Sequence, residues 1–305
     1  MRLPSLEFSG GDFLGKASHD INFSASVSAG YAISENSRFE NVVQLLFPHT
    51  VQLRTTHRLS ADVHRIYQLD LSNGYQLVVK FSPPPALPLL RREQLSLETE
   101  AHALTILAQL GHPCIPRLFR YMPCDPSSSA SFLVRQYING TLLPEMRSQL
   151  SPGDCRNLDR HLGSLVRAIS QQVSTSFGSL GQAAAGTGSS SWRESFISLF
   201  EEVLRDAEDM MIHLPYDQIR REISRLGPAL DEITVPRLVV VNFGRPSDVL
   251  LDPNLKQLSG ILDLGSAIWG DVLMAEMFEA PSDAFLAGFG PIPSSGRYQS
   301  MRSML

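Results

Sequence analysis

The chain has 305 residues, of which 43% are apolar and 19% charged, and a formal net charge of -5. That composition excludes a disordered chain, and the net acidity and short basic clusters weigh against broad nucleic-acid binding. The three cysteines lack zinc-site spacing and are too few and odd in number for a disulfide scaffold, which points to a reducing, cytoplasmic setting.

Residues 1–50 are mixed and rich in Ser and Gly, with one helix expected around "SRFENVVQLLF". This segment reads as an N-terminal extension packing on the domain that follows. No stretch is long and apolar enough for a membrane span, and the first residues lack a secretory leader pattern. "DVHRIYQLDL", then Asn73-Gly74, then "YQLVVKF" predicts two antiparallel strands and a tight turn. Three prolines at Pro83 to Pro85 break regular structure. Leu97, Ala101, Leu104 and Leu107 then recur at helical spacing, predicting a helix over 95–110 with Gly111 as its C-cap. "RLFRYM" and "SFLVRQYI" form a second predicted strand pair, ended by "NGT".

The remainder is mainly helical. Ser151, Pro152 and Asp154 form an N-cap signature ahead of Leu158, Leu162, Leu165 and Ile169. "GQAAAGTGSSS" reads as a flexible loop. Trp192 opens a further helix, and "LPYDQIRREISRLGPALDE" another that is expected to stop near Gly227-Pro228. Two short strands surround "RLVVVNFGRPSDVLLDP", and no internal repeat is present.

Four residues stand out chemically. Lys80 ends an apolar strand, and Glu100 lies on the buried leucine stripe of the next helix, where a carboxylate needs a partner. Lys80 is the natural candidate, and such a pair can hold a lysine against nucleotide phosphates. Asp263, in "LDLG", sits between leucines and beside a glycine that permits close approach of a phosphate or metal. Asp248 can add a second oxygen ligand for Mg²⁺. Asp252 and Asp271 read as turn and cap residues, and His64 and His112 as ordinary histidines. A solvated strand-end lysine and a capping aspartate are the plainer readings of Lys80 and Asp263.

The order and spacing of "YQLVVKFSPPP", "LRREQLSLETEAHALTIL", "FLVRQYINGTLL", "SWRESF" and "PRLVVVNFGRPSDVLLD…LSGILDLGSAIWGD" resemble the aminoglycoside phosphotransferase family, in particular its fungal branch. The resemblance implies an α+β, bilobal protein-kinase-like fold: a small antiparallel-sheet N-lobe over 51–138, and a mainly helical C-lobe over 139–305 with a short C-terminus. It also implies ATP and Mg²⁺ as ligands, adenine near Arg135 to Gly140, Lys80 on the phosphates, Glu100 as its partner, and Asp263 and Asp248 on the metal. A small-molecule ligand is implied; no protein partner is.

The sequence departs from the family where a catalytic carboxylate is expected. Counting back from Asp248 without a gap puts Phe243 there, and with one inserted residue Asn242. Neither accepts a proton as a carboxylate does, though Asn242 can orient a hydroxyl. The segment matching the glycine-rich phosphate cover, "RLSADVHRIY", contains no glycine. The expected function is therefore a catalytically divergent protein that binds a small metabolite or nucleotide between its lobes, acting in specialised metabolism without standard phosphoryl transfer. The alternatives are an ATP- and Mg²⁺-dependent phosphotransferase on a small hydroxylated or amino compound, and a scaffolding pseudokinase.

Overall fold

The structure, a computed structural model, describes residues 37–61, 63–84, 87–124 and 130–292. Two compact units separate, Met1–Val51 and Gln52–Leu305. In the first, the helix described over 37–46 (α1) buries Phe39, Val42 and Val43, a three-to-four spacing that fits one helical face.

The second unit begins with a five-stranded antiparallel sheet in the order β1-β2-β3-β5-β4. Its strands are β1 (Leu53–Leu59), β2 (Arg65–Leu71), β3 (Gln76–Phe81), β4 (Leu118–Met122) and β5 (Phe132–Gln136). The β2–β3 turn forms where expected: Gly74 takes φ +84°, and the Asn73 side chain accepts from the Tyr75 N–H. β3 is central and buried from Leu77 to Phe81, so its side chains pack on both faces. β1 was not expected. It is an edge strand with no buried residue, so no apolar alternation marks it.

Two helices follow, α2 (Arg91–Gln94) and α3 (Ser96–Leu107). α3 buries Leu97, Ala101, Leu104 and Leu107, the stripe read from sequence. Its end tightens into a 3₁₀ turn over Ala108–Leu110, closed by Gly111 at φ 58°.

Beyond the sheet lie β6 (Thr141–Leu142), α4 (Leu143–Met146) and α5 (Pro152–Ser170). Ser151 caps α5: its side chain accepts from the Asp154 N–H, and Asp154 reaches back to the Ser151 N–H at 2.9 Å. β7 (Gly178–Ser179) leads into α6 (Leu180–Ala184). The expected loop there is thus partly helical. Ser179 and Gln182 form a capping box and Leu180 is buried, which together outweigh the flanking glycines.

α7 (Trp192–Asp209) starts at Trp192 as expected, and α8 (Tyr216–Leu230) continues through Pro228 instead of stopping there. Burial of Ala229 and Leu230 anchors that last turn, where the missing proline N–H removes one helical bond.

Four further strands complete two small antiparallel sheets, where two strands were expected. They are β8 (Arg237–Val240), β9 (Val249–Leu251), β10 (Leu258–Ile261) and β11 (Ala267–Gly270). The sheet orders are β10-β9-β6 and β7-β11-β8. Asp252 makes the β9–β10 turn by accepting from the Asn254 and Leu255 N–H groups. Asp271 caps the turn after β11 through the Leu273 N–H.

α9 (Asp283–Phe289) packs across α5 with backbone against backbone. A Cβ at Gly163 would collide with the Phe285 carbonyl oxygen, and one at Gly288 with the Arg160 carbonyl oxygen. Only glycine at both positions allows that approach.

Candidate functional site

β3 and α3 bring the first two predicted residues together. Lys80 is 4% exposed and Glu100 1%, and Lys80 Nζ donates to Glu100 Oε2 at 2.6 Å. The same amine lies 3.5 Å from Asp263 Oδ1. β5, beside β3, adds Arg135, which sequence reasoning placed only at the hinge. Its Nε is 3.5 Å from Glu100 Oε1 and its Nη2 donates to the Leu262 carbonyl at 3.2 Å. Arg135 Nη1 is buried with no hydrogen-bond partner among the described residues.

Asp263 follows β10, and its Oδ1 accepts from the Gly265 N–H at 2.8 Å. Gly265 is required sterically: a Cβ there would sit 2.9 Å from the Ser96 carbonyl oxygen. Asp248 precedes β9 and is fixed by its backbone, which bonds Arg245 and Leu262. The Asp248 and Asp263 carboxylates act on each other. Burial, then the charge of Asp263, pushes the Asp248 carboxyl up to about 6.

The other groups show the same coupling. Burial pulls the Lys80 amine down, but the Glu100 and Asp263 charges and the Glu100 hydrogen bond outweigh it and raise its pKa. Burial pushes Asp263 up, yet Lys80 and the Gly265 N–H hold it below its ordinary value. Burial lowers the Arg135 guanidinium, partly offset by Glu100 and Asp263.

His64, read from sequence as ordinary, stands at this site. Burial, then Lys80, lowers it to about 4, with Asp263 opposing. It is therefore neutral near pH 7. Ser96 Oγ donates to the Glu93 carbonyl, so the 3.2 Å contact with His64 uses the imidazole Nε2–H as donor. His64 lies within the glycine-free cover, and nothing in the local sequence distinguishes this histidine.

Asn242 is held by Ser266. Its N–H donates to Ser266 Oγ at 3.2 Å, and the Ser266 hydroxyl donates to Asn242 Oδ1. Phe243 is 2% exposed and belongs to the C-lobe core. Phe243 is thus a core residue, and Asn242 is bonded to a neighbour.

The donor set suits a divalent cation: the Asp263 charge reaches the Asp248 carboxyl, and positive charge beside the two relieves the pressure on Asp248 to protonate. Mg²⁺ would be held by Asp248 and Asp263. The cluster of Lys80, Arg135, Glu100, Asp248 and Asp263 carries two cations against three carboxylates, so an anionic phosphate alone meets net repulsion. Among the described residues, no group of three or more His, Cys, Asp or Glu side chains forms a metal centre.

A separate cavity of about 610 Å³ adjoins this cluster, bounded by α2, α3, α7 and the segment Gly265–Ile268. None of Lys80, Glu100, Asp248 and Asp263 lines it. Sequence periodicity gave no sign of it, because its walls come from elements far apart in the chain.

No protein-family model and no curated protein sequence matches the chain. Solved structures do. A thermostable mutant of aminoglycoside phosphotransferase APH(4)-Ia, in a ternary complex with AMP-PNP and hygromycin B, is 16% identical with TM-score 0.52, covering 77% of this chain and 73% of that one. Macrolide 2'-phosphotransferase MphH from Brachybacterium faecium, as apoenzyme, is 18% identical with TM-score 0.52, covering 88% of each chain. The fold is therefore the bilobal, protein-kinase-like one, with an antiparallel-sheet N-lobe and a mainly helical C-lobe. Among the described residues no helix is long and apolar enough to cross a membrane.

Proposed function

We propose that the chain is a catalytically divergent relative of the aminoglycoside phosphotransferases that binds a nucleotide together with Mg²⁺ between its lobes. The observation that carries this reading is the buried Lys80–Glu100 pair at 2.6 Å, with Asp263 3.5 Å from the same amine. Glu100 holds the Lys80 amine at the end of β3, where it can meet phosphate oxygens. Asp248 and Asp263 supply the metal ligands, and the metal supplies charge neutralisation on the phosphates. Solved structures with AMP-PNP bound share the fold, which supports a nucleotide as the ligand class.

Standard phosphoryl transfer is not part of this reading. The position where the family resemblance expects a catalytic carboxylate holds none, since Phe243 is in the core and Asn242 is an amide bonded to Ser266. The test is calorimetric titration of ATP with and without Mg²⁺, beside a phosphotransfer assay. Binding is expected only with the metal, and Lys80→Met weakens it about 10- to 100-fold, the loss of a charge-assisted hydrogen bond. Metal-independent binding, or none, removes the proposal. The alternative, an ATP- and Mg²⁺-dependent phosphotransferase on a small hydroxylated or amino compound, is favoured by the retained Lys80, Glu100, Asp248 and Asp263. Acceptor-dependent turnover of ATP establishes it.

A further inference from the structure

α3 has two working faces. Glu100 points to Lys80, while Glu98, Thr99 and His102, on the opposite side of the helix, line the cavity of about 610 Å³. That volume lies in the range that encloses drug-sized molecules. The facing wall is α7, where the Phe196 and Phe200 rings stack at 5.8 Å, with Leu199 and Val203 beside them. Such a wall rewards burial of apolar surface.

The charges select further. Asp206 is buried in the lining, but it accepts from both the backbone N–H and the guanidinium of Arg91. The same guanidinium also holds Asp209 at 2.6 Å. Arg91 and Asp206 are thereby spent on each other. Arg92 also lines the cavity but is exposed, so water screens its charge. Glu98 and Glu202 remain: both line the cavity, both are half-buried, and neither forms an ion pair among the described residues. Two half-buried carboxylates against one exposed guanidinium favour a cation over an acid.

We propose that this cavity binds a largely apolar small molecule carrying one amine. The apolar body lies on Phe196 and Phe200, and the ammonium faces Glu98 and Glu202. A polycation is a poor occupant, because the buried Asp206 carboxylate is already neutralised by Arg91 and the Arg92 guanidinium also lines the cavity. The inference goes beyond the nucleotide reading and does not rest on it. The two sites share none of the four charged residues, so a failed ATP titration leaves this one standing.

The test is calorimetric titration of the full chain with three probes. Imipramine is a tricyclic with one tertiary amine, carbamazepine a neutral tricycle, and kanamycin a polycation. Saturable binding of imipramine is expected, with carbamazepine about fivefold or more weaker, as for one partly screened charge pair. Kanamycin is expected to show no saturable binding. Ala207→Trp, on the α7 wall, fills the space and abolishes imipramine binding. The double variant Glu98→Gln with Glu202→Gln brings imipramine to the carbamazepine level, and decides the matter should Ala207→Trp fail to fold. Circular dichroism confirms that each variant is folded. Absence of imipramine binding, preference for kanamycin, or full imipramine affinity in the double variant each overturns the proposal.

Discussion

Glu100→Gln will destabilise the chain more than Lys80→Met, although the two residues form one pair. The reason lies in what each change leaves behind. With Lys80 gone, Glu100 still faces Arg135, whose Nε is 3.5 Å away, and Asp263 retains 34% side-chain exposure to water. One buried anion then keeps one buried cation. With Glu100 neutralised, Lys80 and Arg135 both remain buried, and Asp263 is the nearest carboxylate left to either. Removing one partner of a buried pair costs about 3–5 kcal/mol when the other is left uncompensated. Glu100→Gln falls in that range. Lys80→Met falls below it, at about 2–3 kcal/mol, because Arg135 compensates in part. Urea denaturation followed by fluorescence of the buried Trp192 and Trp269 measures both. Equal losses, or a larger loss for Lys80→Met, would refute the account of Arg135 as the second partner of Glu100.

Three other outcomes follow from the same geometry. His64 is lowered from 6.5 to about 4, so its contribution to stability is complete above pH 6.5 and is lost as pH falls towards 4. Asp248 is raised from 3.8 to about 6, so its contribution is present below 3.8 and lost as pH rises through 6; the two oppose each other between pH 4 and 6. Asp248→Asn removes one of them, and its denaturation midpoint will fall more steeply than the parent's from pH 6.5 to 4; parallel curves count against this. Gly163→Ala will cost about 1–3 kcal/mol by overpacking, because the obstructing atoms at α9 are backbone and cannot rotate away; a change under half a kcal/mol in urea contradicts the close crossing. Ser151→Ala removes the α5 cap and will cost about 1 kcal/mol, read as a lowered thermal midpoint; an unchanged midpoint removes the cap from the account.

The sequence disclosed those parts of the molecule that depend on local chemistry or on periodicity. Glu100 stood on an otherwise apolar helical stripe, which required a buried cation, and Lys80 was at the end of the neighbouring strand. The cap at Ser151, the turn at Asn73-Gly74 and the turn at Asp252 were equally readable, because each depends on three or four consecutive residues. What escaped depends on distant parts of the chain meeting. Arg135 looked like a hinge residue until β5 was placed beside β3. His64 stood out only once burial and the approach of Lys80 lowered its pKa. Ser266 engages Asn242 across two loops, and α6 forms in a glycine-rich stretch through a two-residue capping box. β1, an edge strand without a buried face, leaves no apolar signature at all.

The crossing of α5 and α9 has a consequence for how this chain tolerates change. At Gly163 and Gly288 the neighbour is a carbonyl oxygen of the other helix, so no rotamer change makes room for a larger residue. A saturation scan of the two helices will show that Gly163 and Gly288 accept glycine alone, while the buried Leu162 and Phe289 beside them accept other apolar residues. Evolutionary drift along this pair is thus limited by the distance between two backbones, and a larger residue at either glycine becomes acceptable only when the helices themselves move apart.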